Sequence, residues 1–307
     1  MVSRTTTVRA VLSIIAVSIT TLGAQQPAPA SQTAMVTSAV QIDGVAVRVR
    51  SSLEPKNGAP VIVFESGAGI PLDTWDALLA KVAALAPVIA YDRPGTGQTP
   101  WDNQPFTPQR ANERLKKLLD AMKVSSPIIL VGHSWGGALS RYFVGEYPQK
   151  VKAVLYIDPT DVMMTEPMWE QMFASFGASA QDLNAFFKVM DTSTTNLPAA
   201  VRAESLAMME LLRTRTMEER RLKPAPAIPS SVLLASRIAA LPKGMVPFDG
   251  EAYSKALQTT RVSGLRPWAQ SGGQYLVVEG AGHFVYRDAP DVVFKEIQAL
   301  IERVRRR

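Results

Sequence analysis

Four short apolar runs recur along the first half of the chain: Val61 to Phe64 (VIVF), Val88 to Tyr91 (VIAY), Ile128 to Val131 (IILV) and Val151 to Ile157 (VKAVLYI). Each has the length of a strand and is rich in β-branched residues, as in strands covered on both faces. The stretches between them have helical spacing. Trp75, Leu78, Leu79, Val82 and Leu85 mark a helix over Asp73 to Leu85, and Pro108 to Met122 and Trp135 to Tyr147 read the same way. Val232 to Ala235 and Tyr275 to Val278 are later strands, and Pro290 to Arg303 is a closing helix. Strict alternation of strand and helix implies right-handed crossovers, so the expected class is α/β, a mostly parallel sheet with helices on both faces. Val45 to Arg50 (VAVRVR) alternates apolar with basic residues, the pattern of a half-exposed edge strand.

The rhythm breaks between about residues 160 and 229. That segment has no strand pattern. It reads as helices over Glu166 to Phe176, Ala180 to Met190 and Pro198 to Leu212, then a charged turn at Met217 to Lys223. A helical insertion between two sheet strands predicts a cap. Eight of the twelve methionines lie in it, from Met163 to Met217. They suit either an adaptable apolar pocket or plain packing of the cap on the sheet.

Before the first strand, Arg4 and Arg9 precede an apolar run from Ala10 to Ile19, and small residues follow to Ala24. A charged start, a short apolar centre and small residues near a cut site predict a secretory leader over residues 1–24. Ala30 is an alternative cut point. The run is too short to span a bilayer comfortably. Residues 25–38 read as a Pro/Ala/Ser/Thr linker, leaving 39–307 as the folded domain, and the mature chain is expected to be exported without a membrane span.

Composition narrows the chemistry. The chain has no cysteine, which excludes thiolate metal sites, disulfides and cysteine nucleophiles. Its only histidines are His133 and His283, so a three-histidine metal site cannot form and any imidazole chemistry uses one of these two. No metal and no organic cofactor is expected. The net charge of +6 is largely terminal, with four arginines in the last five positions. No basic stripe with interleaved aromatics predicts nucleic-acid binding.

The third apolar run leads into Gly132-His133-Ser134-Trp135-Gly136, followed by Gly137. This is G-x-S-x-G at a strand-to-helix junction, the nucleophile elbow. The serine of such a turn sits on a strained backbone, and its neighbours two residues away must be small. The turn lifts Ser134 Oγ above the sheet at a helix N-terminus, where the dipole favours an anion. A serine hydroxyl needs a base to become a nucleophile. His133 is locked in the elbow, which leaves His283, in a Gly-rich loop after the last strand. An oxyanion hole needs two aimed N–H donors. One is expected from Trp135, the residue after the serine, and the other from the loop after VIVF.

In these blocks the chain resembles the α/β-hydrolase family over nearly all of residues 40–305. The resemblance is carried by Phe64-Glu65-Ser66-Gly67-Ala68-Gly69, Tyr91-Asp92-Arg93-Pro94-Gly95-Thr96-Gly97, Gly132 to Gly137, Tyr156-Ile157-Asp158-Pro159 and Gly280-Ala281-Gly282-His283-Phe284. It implies the α/β-hydrolase fold and His283 as the catalytic base. Where many relatives read His-Gly-x, this chain reads Ser66-Gly67-Ala68, and the resemblance implies Ala68 N–H as the second oxyanion donor. The third triad member is open. Many relatives carry an acid after the strand that follows the cap, but here no carboxylate follows Val232-Leu233-Leu234-Ala235 until Asp249. Asp158 resembles the aspartate of the Leu-Asp-Pro block in pancreatic-type lipases, which is the triad acid there. Asp161 and Asp249 are the alternatives. Glu65 is open between binding backbone, positioning Arg93 and touching substrate, whereas Asp92 and Arg93 read as loop-organising ion-pair residues.

The expected function is an exported serine hydrolase that cleaves a small, apolar ester through an acyl-enzyme on Ser134, His283 and Asp158. The alternatives are amidase or aminopeptidase-like activity, perhydrolysis or carbon–carbon cleavage on the same triad, or a binding module that keeps the fold. Dehalogenation is disfavoured, because in related enzymes that chemistry puts aspartate at position 134.

Overall fold

The computed structural model describes residues 34–56 and 58–306. The leader expected at 1–24 and most of the expected linker lie outside them. The described strands are β1 (Val36–Ile42), β2 (Val45–Ser52), β3 (Ile62–Glu65), β4 (Val88–Tyr91), β5 (Ile128–His133), β6 (Val151–Ile157), β7 (Ser230–Ala235) and β8 (Tyr275–Val278). They form one sheet in the order β1-β2-β4-β3-β5-β6-β7-β8. The strands from β4 to β8 along that order are parallel, while β2 runs antiparallel to both β1 and β4. The described helices are α1 (Asp76–Val82), α2 (Pro108–Ala121), α3 (Trp135–Glu146), α4 (Glu166–Ser175), α5 (Ala180–Ser193), α6 (Ala199–Leu212), α7 (Gly250–Gly264), α8 (Val285–Asp288) and α9 (Pro290–Arg305).

The strand period of two distributes β5 between two cores. Ile128 and Leu130 face Leu115, Leu119, Leu139 and Tyr142 of α2 and α3. Ile129 and Val131 face the other side, with Leu78 and Leu79 of α1 and Ile297 and Ile301 of α9. This accounts for the unbroken apolar runs: both faces are covered, so no residue of the run is left for water. β5 lies centrally between β3 and β6, and its carboxyl end opens where ligands bind in parallel sheets.

Three expectations change. Residues 36–38, placed in the linker, belong to β1, whose whole length pairs with β2. Backbone hydrogen bonding along a free strand edge outweighs their polar local composition. β2 is therefore internal, and β1 is the edge. The β2 arginines are not simply solvated. Arg48 donates to Asp73 at 2.7 and 2.8 Å, and Arg50 reaches Asp73 and Asp76.

The helical layer also has a second source. α4, α5 and α6 lie between β6 and β7, as the insertion reading expects. Their aromatic core of Trp169, Phe173, Phe186 and Phe187 is completed by Tyr253 of α7, from the connection between β7 and β8. The sequence of α7 has too few apolar residues to mark a stripe. Met164 and Met172 are buried in this core, and Met190, Met208 and Met209 pack against it, so most of the insertion's methionines serve packing. No helix among the described residues is long and apolar enough to cross a membrane.

Candidate active site

At the end of β5 the backbone of Ser134 takes φ 54° and ψ −122°. A positive φ on a serine is strain that the surroundings must hold in place. The glycines explain how. A Cβ on Gly136 would collide with the backbone carbonyls of Glu65 and Ser66, and one on Gly132 would fall 2.6 Å from Gly136 O. Ser134 N–H donates to Ile157 O at 3.0 Å, fastening the turn to β6. The hydroxyl does not cap α3. Trp135 is the first residue of α3, so its N–H has no acceptor within the helix.

β5 and β6 are in register with His133 opposite Ile157, which sets Asp158 level with Ser134. Asp158 is 2% exposed and has φ 40°. Its Oδ2 accepts from His283 Nδ1 at 2.5 Å, and its Oδ1 accepts from Ala235 N–H at 3.1 Å and Arg261 Nη2 at 2.9 Å. Burial opposes ionisation of this carboxyl. Arg261, the His283 hydrogen bond and the Ala235 N–H outweigh it and lower its pKa to about 2. The alternatives sit elsewhere: Asp249 caps α7, and Asp161 accepts from Met163 N–H while burial raises its pKa. Of the three acids, only Asp158 bonds His283. Among the described residues no hydrogen bond joins Ser134 Oγ to His283, and such contacts are often long before substrate binds.

His133 lies against His283, with ring centroids 4.6 Å apart. Its Nε2 is 2.9 Å from His283 O. A carbonyl only accepts, so Nε2 carries the proton and ties the His283 main chain to the elbow. Burial, aided by repulsion from His283, drives the His133 pKa down to about 3, so the ring is neutral.

The loop after β3 carries Ala68 and is clamped by charge. Arg93 donates to Ser66 O at 2.7 Å and Gly67 O at 2.6 Å, and pairs with Glu65 and with Glu204 of α6. Glu65 therefore positions Arg93, and it also accepts from Tyr91 OH. Asp92 is wholly buried, accepts from Leu72 N–H and Gln98 N–H, and organises the turn as expected. Sequence reasoning missed Arg261 and Glu204. Their only signal was a charge on a helix whose partner lies more than a hundred residues away.

Beside His283 opens a cavity of about 570 Å³. Met164, Trp169, Leu212, Ile238 and Leu257 supply apolar walls, and Arg237 and Arg261 border it. Among the described residues no cluster of three or more His, Asp or Glu could hold a metal ion.

Residues 62–296 match the sequence profile of the alpha/beta hydrolase family. The chain belongs to the alpha/beta hydrolase family. It is thus a hydrolytic enzyme of the alpha/beta hydrolase type. The hydrolase is 25% identical over 265 residues to a 2-(acetamidomethylene)succinate hydrolase of Mesorhizobium japonicum, covering 83% of this chain and 92% of that protein. It is 32% identical over 134 residues to a proline iminopeptidase of Heyndrickxia coagulans, covering 43% of this chain and 45% of the relative. Among solved structures, the enol-lactonase of Burkholderia xenovorans aligns with a TM-score of 0.56 at 16% identity, over 86% of this chain and 99% of that one. At that identity the likeness speaks for the fold.

Of the shifted groups, His133 and Asp158 give this hydrolase a definite acid response. For His133 the folded pKa, about 3, lies below the unfolded value of roughly 6.5. The unfolded chain binds the proton first, so the stability present above about pH 6.5 is lost as pH falls toward 3. The expected loss is about 4 kcal/mol. Asp158 contributes a further ~2 kcal/mol, present above about pH 4 and lost as pH falls through 2. Urea melts from pH 7 to 3 on the native protein and on His133→Gln measure the His133 part. An identical slope in the variant would refute the assignment to His133.

Proposed function

We propose that the chain is an exported serine hydrolase that cleaves small esters with an apolar part. The reading is carried by one arrangement: a strained serine at the end of the central strand, level with a buried aspartate that bonds the only other histidine besides the elbow's own. Ser134 Oγ attacks the acyl carbon and passes its proton to His283 Nε2. His283 Nδ1–H stays on Asp158, which fixes the tautomer and stabilises the imidazolium. The N–H groups of Trp135 and Ala68 receive the oxyanion, with the N-terminus of α3 adding its dipole. Collapse expels the alkoxide, which takes the proton from His283. Water then attacks the acyl-enzyme, gives its proton to His283, and the acid leaves as Ser134 recovers that proton. The apolar walls beside His283 support an apolar substrate portion. Export rests on the leader pattern of residues 1–24.

A second reading, amide cleavage on the same triad, is favoured by the similarity to the proline iminopeptidase. Comparing turnover of p-nitrophenyl butyrate with the matching anilide separates the two.

A biotinylated fluorophosphonate tests the shared chemistry. Serine Oγ attacks phosphorus, the P–F bond breaks and fluoride leaves. Peptide mapping is expected to find the label on Ser134 in native protein and none in heat-denatured protein. Absence of native labelling, or a label on another residue, would overturn the proposal.

A further inference from the structure

The Ala68 loop is gripped on both sides by one charged unit. Before Ala68, the carbonyls of Ser66 and Gly67 accept from Arg93 Nη1 and Nη2 at 2.7 and 2.6 Å. After it, Gly69 N–H donates to Glu204 Oε2 at 2.7 Å. The other Glu204 oxygen holds Arg93 Nε at 2.5 Å, so the two grips are mechanically one. Arg93, Glu65 and Glu204 are all nearly inaccessible, at 5%, 3% and 3% exposure. Burial alone would lower the Arg93 pKa, but attraction to Glu204 and Glu65 overrides it and keeps the guanidinium charged.

Glu204 comes from helix α6, 135 residues after Gly69. The helix sits directly on two glycine turns. A Cβ on Gly69 would fall 2.6 Å from Val201 Cγ1, and one on Gly95 would run into Ala200. Both glycines have positive φ, at 64° and 78°. Neither turn would let α6 approach so closely with a side chain in the way. Packing alone does not call for a buried carboxylate here, since apolar residues fill such space at least as well. A guanidinium fork fixed by two carboxylates provides direction, holding two adjacent carbonyls in one plane of approach.

We propose that Glu204 is a positioning residue: through Arg93 and the Gly69 N–H it aims the Ala68 N–H at the oxyanion, so anion stabilisation depends on α6 being docked. The inserted helix is then part of the anion-stabilising apparatus rather than a cover above it. The inference rests on the reading of Ala68 and Trp135 as oxyanion donors.

The test uses Glu204→Gln and Arg93→Lys with p-nitrophenyl butyrate as substrate. Two inhibitors accompany it: n-butylboronic acid, which becomes tetrahedral and anionic on serine, and butyrate, which remains planar. A misaimed donor is expected to lower kcat on the order of 10- to 100-fold, with KM within about threefold. Boronate affinity falls in parallel, and butyrate affinity holds. A kcat within threefold of the parent, or equal losses for boronate and butyrate, overturns the inference. Hydrogen exchange on the unaltered protein decides the matter even where a variant does not fold. Boronate is expected to slow exchange at the Gly69 amide and along α6 together, and a boronate that protects the elbow but leaves α6 unchanged refutes the coupling. The two levels separate cleanly: full activity in Ser134→Ala refutes the underlying mechanism, whereas an inactive Ser134→Ala beside a fully active Glu204→Gln refutes only the role of α6.

Discussion

Replacing Ser134 by alanine is expected to lower kcat/KM for p-nitrophenyl butyrate on the order of 10⁴-fold or more, while leaving the melting temperature nearly unchanged. The size follows from what is removed. Without Oγ there is no covalent intermediate, and His283 has no proton to take. The proposed donors on Trp135 and Ala68 remain and can still favour attack by water, so a small residual rate is expected. The fold should persist because the serine hydroxyl does not cap α3 and the turn is held by Ser134 N–H on Ile157 O. Turnover equal to the parent would remove Ser134 from the chemistry and with it the proposed mechanism.

Asp158→Asn is expected to be nearly as damaging, about 10⁴-fold in kcat, for a reason specific to this site. Oδ1 faces two donors, Ala235 N–H and Arg261 Nη2, so an asparagine must put its carbonyl oxygen there. Its amide NH₂ is then forced toward His283 Nδ1. Two donors cannot share that contact, so Nδ1 loses its proton and Nε2 gains one. A protonated Nε2 on a neutral ring cannot accept from Ser134. Steady-state kinetics measure the loss, and fluorophosphonate labelling should slow with it. A variant that keeps more than a tenth of the parental kcat would exclude Asp158 as the triad acid.

The buried strands and the elbow were readable because both are local. An apolar run of four to seven residues declares a strand covered on two faces, and β3, β4, β5 and β6 fall where VIVF, VIAY, IILV and VKAVLYI predict. Gly132 and Gly136 declare a turn without room for a Cβ, and the structure has backbone carbonyls where that Cβ would be. The two-histidine composition left His283 as the available base. Asp158 was the expected acid, with Asp161 and Asp249 left as alternatives, because deciding among carboxylates needs a distance. β1 and α7 were not readable. The first is held by pairing along β2, and the second by Tyr253 joining an aromatic cluster built mostly from another segment.

The sequence by itself determined the layered α/β architecture, the sharp serine turn and the short roster of groups able to do chemistry there. These follow from patterns within a dozen neighbouring residues, where sterics and burial act on adjacent side chains. Tertiary structure alone decided which acid holds His283, that Arg261 keeps that acid ionised, and that Glu204 of α6 braces the Ala68 loop. Those are electrostatic choices between groups about a hundred residues or more apart. A buried charge is tolerated only with a partner, and which partner arrives depends on how the whole chain has folded.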